Sequence, residues 1–257
     1  MRIYRFTRAL AILLLIAGGL CGQSRNELFQ TSTIDALLQG VYDGDMTFAE
    51  LRKHGNFGIG TFNGVDGEMI ALGGRFFQIA SDGKARPVRD EMRTPFASVT
   101  DFAPDIAVAV TGPLTLEDLL KRIDAVLPGA NWYYAVRVTG RFDAVTTRSV
   151  PRQRPPYEPL TEVVKAQPVF HLRDVEGTLA GFKCPEFARG VNVPGYHLHF
   201  LNCQETAGGH VLSCVLREGR IEVAIKRELH ISLPATAAFS RADLVRDRTG
   251  EVRAVEK

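Results

Sequence analysis

The sequence predicts an α/β (α+β) protein of two lobes: a mixed β-sheet N-terminal lobe with helices over residues 23–150, and a β-barrel-like C-terminal lobe over residues 151–257. Three observations predict it. Short strand-like runs, separated by Asp-Gly and Gly-Gly turns, crowd the first half beside amphipathic helical stretches. Residues 151–159, PRQRPPYEP, hold four prolines and can form neither a helix interior nor a central strand, so they mark a boundary. Beyond them, short strand signals continue with little helical periodicity, the pattern of a barrel or sandwich.

The elements follow in order. Thr33 caps a helix that carries Ile34, Leu37 and Leu38 on one face and stops at Gly40. Thr47 and Glu50 have capping-box spacing and open a second short helix that ends near His54 and Gly55. Strands are predicted over 57–62, 68–72, 75–79 and 97–102, with turns at Asp66-Gly67, Gly73-Gly74 and Asp82-Gly83. Thr115 then caps an amphipathic helix bearing Leu116, Leu119, Leu120, Ile123 and Leu127. A stretch rich in Tyr, Val, Phe and Thr over 132–150 reads as β. After the prolines come a short helix near 160–165 and strands over 169–172, 178–182, 196–201, 210–216 and 221–233.

Composition limits the function. At 257 residues and 45% hydrophobic side chains the chain can bury one large core or two modest ones. A net charge of +2 leaves no electrostatic footprint for nucleic acid, and no such partner is expected. Arg2, Arg5 and Arg8 precede an apolar run over residues 9–20 and small residues around Cys21 and Gly22. That is the layout of a cleavable signal peptide over residues 1–22, and it predicts a secreted or periplasmic protein with no membrane association after cleavage. Removing the three arginines takes the net charge from +2 to −1. Cys184, Cys203 and Cys214 remain, an odd number without CxxC or zinc-ribbon spacing, and plain burial is expected of each.

Three of the six histidines fall in two short segments, PGYHLHF (194–200) and GGHVL (208–212). Alternate residues of a strand share a face, so His197 and His199 point together with backbones about 6.5–7 Å apart. Imidazoles at that spacing can converge on one ion at about 2.0–2.1 Å each. His210 would complete a three-histidine set with coordination positions left open, as in a catalytic zinc site. A tight turn at Ala207-Gly208 would carry His210 about 20 Å along the ladder from His199. The metal reading therefore requires a wide hairpin through residues 202–208. By themselves, the residues leave two readings open: solvated strand histidines, or an open metal site. His54, His171 and His230 have no evident partner and read as structural. Gly55, Gly58 and Gly60 lack phosphate-loop spacing, which excludes a nucleotide site.

Seven segments in series resemble the alpha-acetolactate decarboxylase family. They are STIDAL (32–37), GVYDG (40–44), HGNFGIGTFN (54–63) running into Asp66-Gly67-Glu68, TPFA (94–97), RSVPRQ (148–153), and the two histidine segments. The match runs from about Thr31 to the C-terminus. It implies a two-lobed fold, a homodimer, and decarboxylation of 2-acetolactate to acetoin and CO2 at a zinc ion held by His197, His199 and His210. It also implies Arg148 and Glu68 as catalytic residues, with Glu256 matching a second active-site glutamate. Taken alone, these three would read as a strand end, an exposed carboxylate after a turn, and a frayed tail.

The chemistry suits these residue types. The ketone one carbon removed from the carboxylate can accept the electrons left by CO2 as an enediolate, so no organic electron sink is needed. A zinc ion chelated by the substrate hydroxyl and ketone oxygens would stabilise that charge. The guanidinium fork of Arg148 suits the carboxylate, and Glu68 or Glu256 could relay the proton. Two rival readings use the same histidines. A cupin-type metal oxygenase or isomerase would add a glutamate soon after the second histidine, where Glu205 stands slightly too far along. A non-catalytic exported metal-binding protein would have a filled coordination shell.

Overall fold

The computed structural model describes residues 25–256, so the leader expected over residues 1–22, with Cys21, lies outside them. In chain order the elements are β1 (Glu27–Thr31), α1 (Ile34–Leu38), β2 (Met46–Thr47), α2 (Phe48–Leu51), β3 (Phe57–Thr61), β4 (Glu68–Leu72), β5 (Arg75–Ile79), β6 (Ala85–Pro87), β7 (Arg93–Thr94) and β8 (Ala97–Thr100). Then come β9 (Ile106–Thr115), α3 (Leu116–Asp124), β10 (Tyr133–Arg148), α4 (Leu160–Val163), β11 (Val169–Cys184), β12 (Gly195–Asn202), β13 (Gly208–Lys226), β14 (Glu228–Ser232), α5 (Ala237–Arg241) and α6 (Thr249–Val255). The class is the mixed, strand-dominated one expected.

Local signals act where the sequence places them. Thr33 and Thr115 cap their helices, and Thr47 with Glu50 forms the capping box in both directions. Gly73 and Gly74 both have positive φ, 58° and 80°, between paired Leu72 and Arg75. That is a two-residue hairpin whose backbone favours glycine at both central positions.

One sheet runs β14-β1-β8-β3-β4-β5-β6 and is mixed, since β1 and β14 are parallel and every other pair is antiparallel. A second runs β10-β11-β12-β13-β9, where a further β10–β13 ladder closes the circuit of its first four strands, and β2 pairs with β7 in a separate two-stranded ribbon. Only three residue pairs join β12 to β13. The result is a strongly curved sheet closed at one end rather than a full barrel. Sheet membership cuts across the proline segment: β9 and β10 precede it yet join β11–β13, and β14 returns to pair with β1. The prolines connect two strands of the same sheet.

Several elements differ from the sequence reading. The separate strands expected over 169–172 and 178–182 are one strand, β11; the strand expected over 210–216 runs on into the first part of that expected over 221–233 as β13, and the rest of the latter is β14. Long coiled strands tolerate the polar and glycine interruptions that looked like turns. β9 was not anticipated, because Gly112-Pro113 argues against a strand; it is an edge strand, where a missing N–H costs no ladder bond. The terminal helices α5 and α6 were also unforeseen. Cys184 and Cys214 are buried as expected, but Cys203 is exposed on the β12–β13 hairpin; all three are free thiols.

Alternation along β10 explains how the layers stack. Tyr133 and Ala135 face the first sheet with Ile70, Phe77, Phe182 and Leu201. Tyr134, Val136 and Val138 face the opposite way, into the concave core covered by α3 through Leu119 and Ile123. A third cluster joins α1, α4 and α6 through Leu37, Leu38, Leu160, Val163, Val252 and Val255. The site lies where that cluster meets both sheets.

Candidate metal centre and cavity

Strand register brings three polar side chains to one level. On β12, His197 and His199 share a face, and His199 is paired with His210 across to β13. His210 is in turn paired with Arg148 at the end of β10. The hairpin between β12 and β13 is wide, as the metal reading requires. Asn202 N–H donates to the Ala207 carbonyl (3.0 Å), and the Asn202 side-chain oxygen accepts from Thr206 and Ala207 N–H (2.8 and 3.0 Å). Where β13 starts, Gly209 has φ +137° and a Cβ there would stand 2.5 Å from the Arg148 carbonyl, so glycine permits the close approach of β13 to β10.

The three histidine ligand nitrogens lie within 4.8 Å of one another. His199 Nδ1–H donates to the Met69 carbonyl at 2.8 Å, which leaves its Nε2 as a bare lone pair. That Nε2 is 3.2 Å from His197 Nε2. Two nitrogens bound to one tetrahedral ion at about 2.0–2.1 Å stand about 3.3–3.4 Å apart, so the spacing fits a shared cation. A backbone carbonyl holding the far ring nitrogen is the usual second contact of a metal-binding imidazole. Burial first, and then the charge of Arg148, depress the His197 pKa to about 3. Burial also holds His199 and His210 well below the ordinary imidazole value. Three neutral imidazoles, His199 and His210 buried and His197 partly so, offering lone pairs to one point fit a divalent metal ion.

Carboxylates approach from two sides. Glu68 begins β4 in the first sheet, buried and paired with Thr61, which also lines the cavity. Its oxygens lie 3.5 Å from His199 Nε2 and 3.6 Å from Arg148 Nη1. Glu256 sits at the C-cap of α6, with a carboxylate oxygen 3.8 Å from His210 Nε2 and 3.9 Å from His197 Nε2. Burial raises both carboxyls to about 7, opposed by the positive charge of Arg148. Arg148 itself is 3% exposed. Its Nη2 donates to the Val255 carbonyl at 2.8 Å, whereas its Nε is buried with no acceptor.

All six residues singled out in the sequence therefore meet at one place. His197, His210, Arg148, Glu68 and Glu256 line a cavity whose remaining wall is mostly apolar, including Ile34, Leu37, Phe96, Leu160 and Val164. His54 stacks on Phe29, His171 contacts Thr146, and His230 lies near Glu27, all away from the cluster. Glu205, the carboxylate a cupin-type site would need, is engaged by Arg75 on the surface (2.6 Å). Sequence reasoning missed the Met69 carbonyl, Thr61 and the α1–α4 wall. A backbone acceptor and apolar side chains carry no signal until strands are paired.

A family profile described as Alpha-acetolactate decarboxylase matches residues 28–246, a span that includes Glu68, Arg148 and the three histidines but ends before Glu256. The chain is 48% identical over 235 residues to an alpha-acetolactate decarboxylase of Methylococcus capsulatus, covering 91% of this chain and 90% of that one. It is 43% identical over 230 residues to the Bacillus subtilis enzyme of that name, covering 90% of each chain. A crystal structure of alpha-acetolactate decarboxylase from Bacillus subtilis strain 168 superposes with a TM-score of 0.88 at 43% identity, covering 90% of this chain and 99% of that one. A Staphylococcus aureus protein of unknown function, similar to alpha-acetolactate decarboxylase, superposes with a TM-score of 0.83 at 30% identity, covering 90% of this chain and 98% of that one.

Proposed function

The chain belongs to the alpha-acetolactate decarboxylase family and is an enzyme that decarboxylates acetolactate, and we propose that it forms acetoin and CO2 with a zinc ion held by His197, His199 and His210. The single observation that carries the proposal is the convergence of three imidazole nitrogens beside a cavity lined by His197, His210, Arg148, Glu68 and Glu256. Zinc, when bound, would supply a Lewis acid that polarises oxygens without changing oxidation state.

The protein groups divide the remaining work. Arg148 would bind the substrate carboxylate: its buried Nε is a donor without an acceptor, and such a donor is costly unless a ligand satisfies it. Breaking the bond between the carboxyl carbon and C2 sends an electron pair toward the neighbouring ketone. One proton must then reach C2 to give acetoin. Glu68 and Glu256, whose carboxylate oxygens stand within 4 Å of the histidine nitrogens, are placed to hold and deliver it. The apolar wall of Ile34, Leu37, Phe96 and Leu160 excludes water, which favours the loss of a charged carboxylate as neutral CO2.

A homodimer and an exported protein, with the leader at residues 1–22 removed, complete the proposal. They are supported by the family resemblance and by the basic-then-apolar start of the chain, and light scattering and cell fractionation test them. The activity is tested by incubating the purified protein with 2-acetolactate and assaying acetoin before chelation, after chelation, and after zinc is restored. Loss and recovery are expected. Full acetoin formation in chelator would refute the metal requirement, and oxygen consumption with bound iron would favour the cupin-type reading.

A further inference from the structure

One wall of the cavity depends on a strained corner of the chain. α1 supplies Ile34 and Leu37 to that wall, yet it is five residues long, and isolated helices shorter than about 12–15 residues are marginal in water. The chain leaves β1 for α1 through Ser32, whose φ of 63° lies in the left-handed region that a side chain disfavours. Ser32 N–H continues the ladder to the Ser232 carbonyl (2.9 Å), but its buried hydroxyl makes no bond. Side-chain amides hold the corner instead. Gln30, fully buried on β1, donates through Nε2 to the Ser32 and Val191 carbonyls, each at 2.8 Å. The Val191 carbonyl also accepts from Ile34 N–H (3.0 Å), and the Gly190 carbonyl from Asp35 N–H (3.3 Å), so the loop before β12 receives the first turn of α1. Asn192, buried in that loop, sets which way the Gln30 amide faces. Gln30 and Ser98 lie opposite one another on β1 and β8, and Asn192 Nδ2 bridges them, donating to Gln30 Oε1 (2.6 Å) and Ser98 Oγ (3.1 Å). Val193 N–H donates to Asn192 Oδ1 at 2.7 Å and so fixes the Asn192 amide in turn. With its oxygen held by Asn192, Gln30 turns its two N–H groups to the corner.

We propose that Gln30 and Asn192 are positioning residues for the substrate: the Gln30 amide, oriented by Asn192, locks the β1–α1 corner and so sets how closely Ile34 and Leu37 stand against the apolar part of acetolactate. The inference rests on the reading of this cavity as the substrate pocket. The metal ligands lie outside the lock, because β12 is paired with β11 along its whole length. Wall contacts serve the substrate and the transition state alike, so their loss falls on KM rather than on kcat.

Gln30→Met, which removes both donors without burying a charge, tests the lock in the zinc-loaded enzyme. Zinc content and kcat should hold while KM rises about tenfold or more, the scale of one lost methylene contact in an apolar pocket. Backbone hydrogen exchange over residues 32–38 should accelerate. Asn192→Asp touches neither the Ser32 nor the Val191 carbonyl. It should nonetheless raise KM comparably, because the Gln30 amide turns over to donate to the new carboxylate and presents its oxygen to the two carbonyls. A residue that merely packs would leave KM unmoved by so nearly isosteric an exchange. Wild-type KM in either variant, or unchanged exchange in Gln30→Met, would overturn the proposal. Leu37→Ala, assayed in parallel, separates the two failures. Wild-type KM there sinks the reading of the cavity as the substrate pocket, while exchange over 32–38 still reports on the lock.

Discussion

Arg148 shows how one side chain links the layers of this site. It ends β10, is paired with His210, donates to Val255 of α6, and stands 3.6 Å from Glu68 of the first sheet. Arg148→Met should leave zinc bound, because no imidazole is touched, yet lower kcat by about 10²–10³, the usual cost of removing one donor aimed at reacting charge. Steady-state kinetics with metal analysis checks this, and a fully active variant would remove Arg148 from the site. His199 has the complementary role. Its far nitrogen is committed to the Met69 carbonyl, so His199→Ala should lose zinc and acetoin formation together. HxH alternation and a third histidine made a candidate ligand set legible in the sequence, but solvated strand histidines stayed an equal reading until the family resemblance was added. The burial of Glu68 was not legible. A carboxylate after Asp-Gly is normally solvated, and only the packing of β4 against β12 and β13 hides it.

At the scale of elements, the β12–β13 hairpin sets the metal geometry. Slipping its register by one residue would turn His210 to the other face. Asn202 pins that register by binding its side chain to Thr206 and Ala207 N–H and to the Thr206 hydroxyl. Asn202→Ala should cost about 1–2 kcal/mol of stability and weaken zinc binding, measurable by denaturant melts and by titration against a metal indicator. The hairpin was legible as a requirement, since the polar run over 202–206 leaves room for a wide loop, but its hub was not: an asparagine in a loop looks like any other. Caps, two-residue turns and the amphipathic α3 were legible because they depend on local chemistry. β9 and the terminal α6 were not, because an edge strand containing proline and a seven-residue helix exist only through tertiary contacts. Glu256 reads as a tail residue for the same reason.

For the whole molecule, the buried charges make stability depend on pH and metal. In the metal-free protein the three histidines stay neutral on folding, while an unfolded histidine takes up a proton below about 6.5. The unfolded state then binds more protons, so stability should fall as pH drops below about 6.5, for His197 down to about 3. Glu68 and Glu256 act oppositely: their folded values near 7 lie above the unfolded value of 4.5, so their contribution is lost as pH rises from 4.5 to 7. Melting temperatures in chelator should therefore peak near pH 6.5. Zinc should raise them, because an ion that binds only the folded site stabilises it. X-ray absorption at the zinc edge of the purified enzyme decides whether three imidazoles hold the metal. One zinc per chain with three imidazole nitrogens at about 2.0–2.1 Å is the predicted result. A zinc-free active enzyme, or a zinc shell lacking histidine scattering, would contradict it.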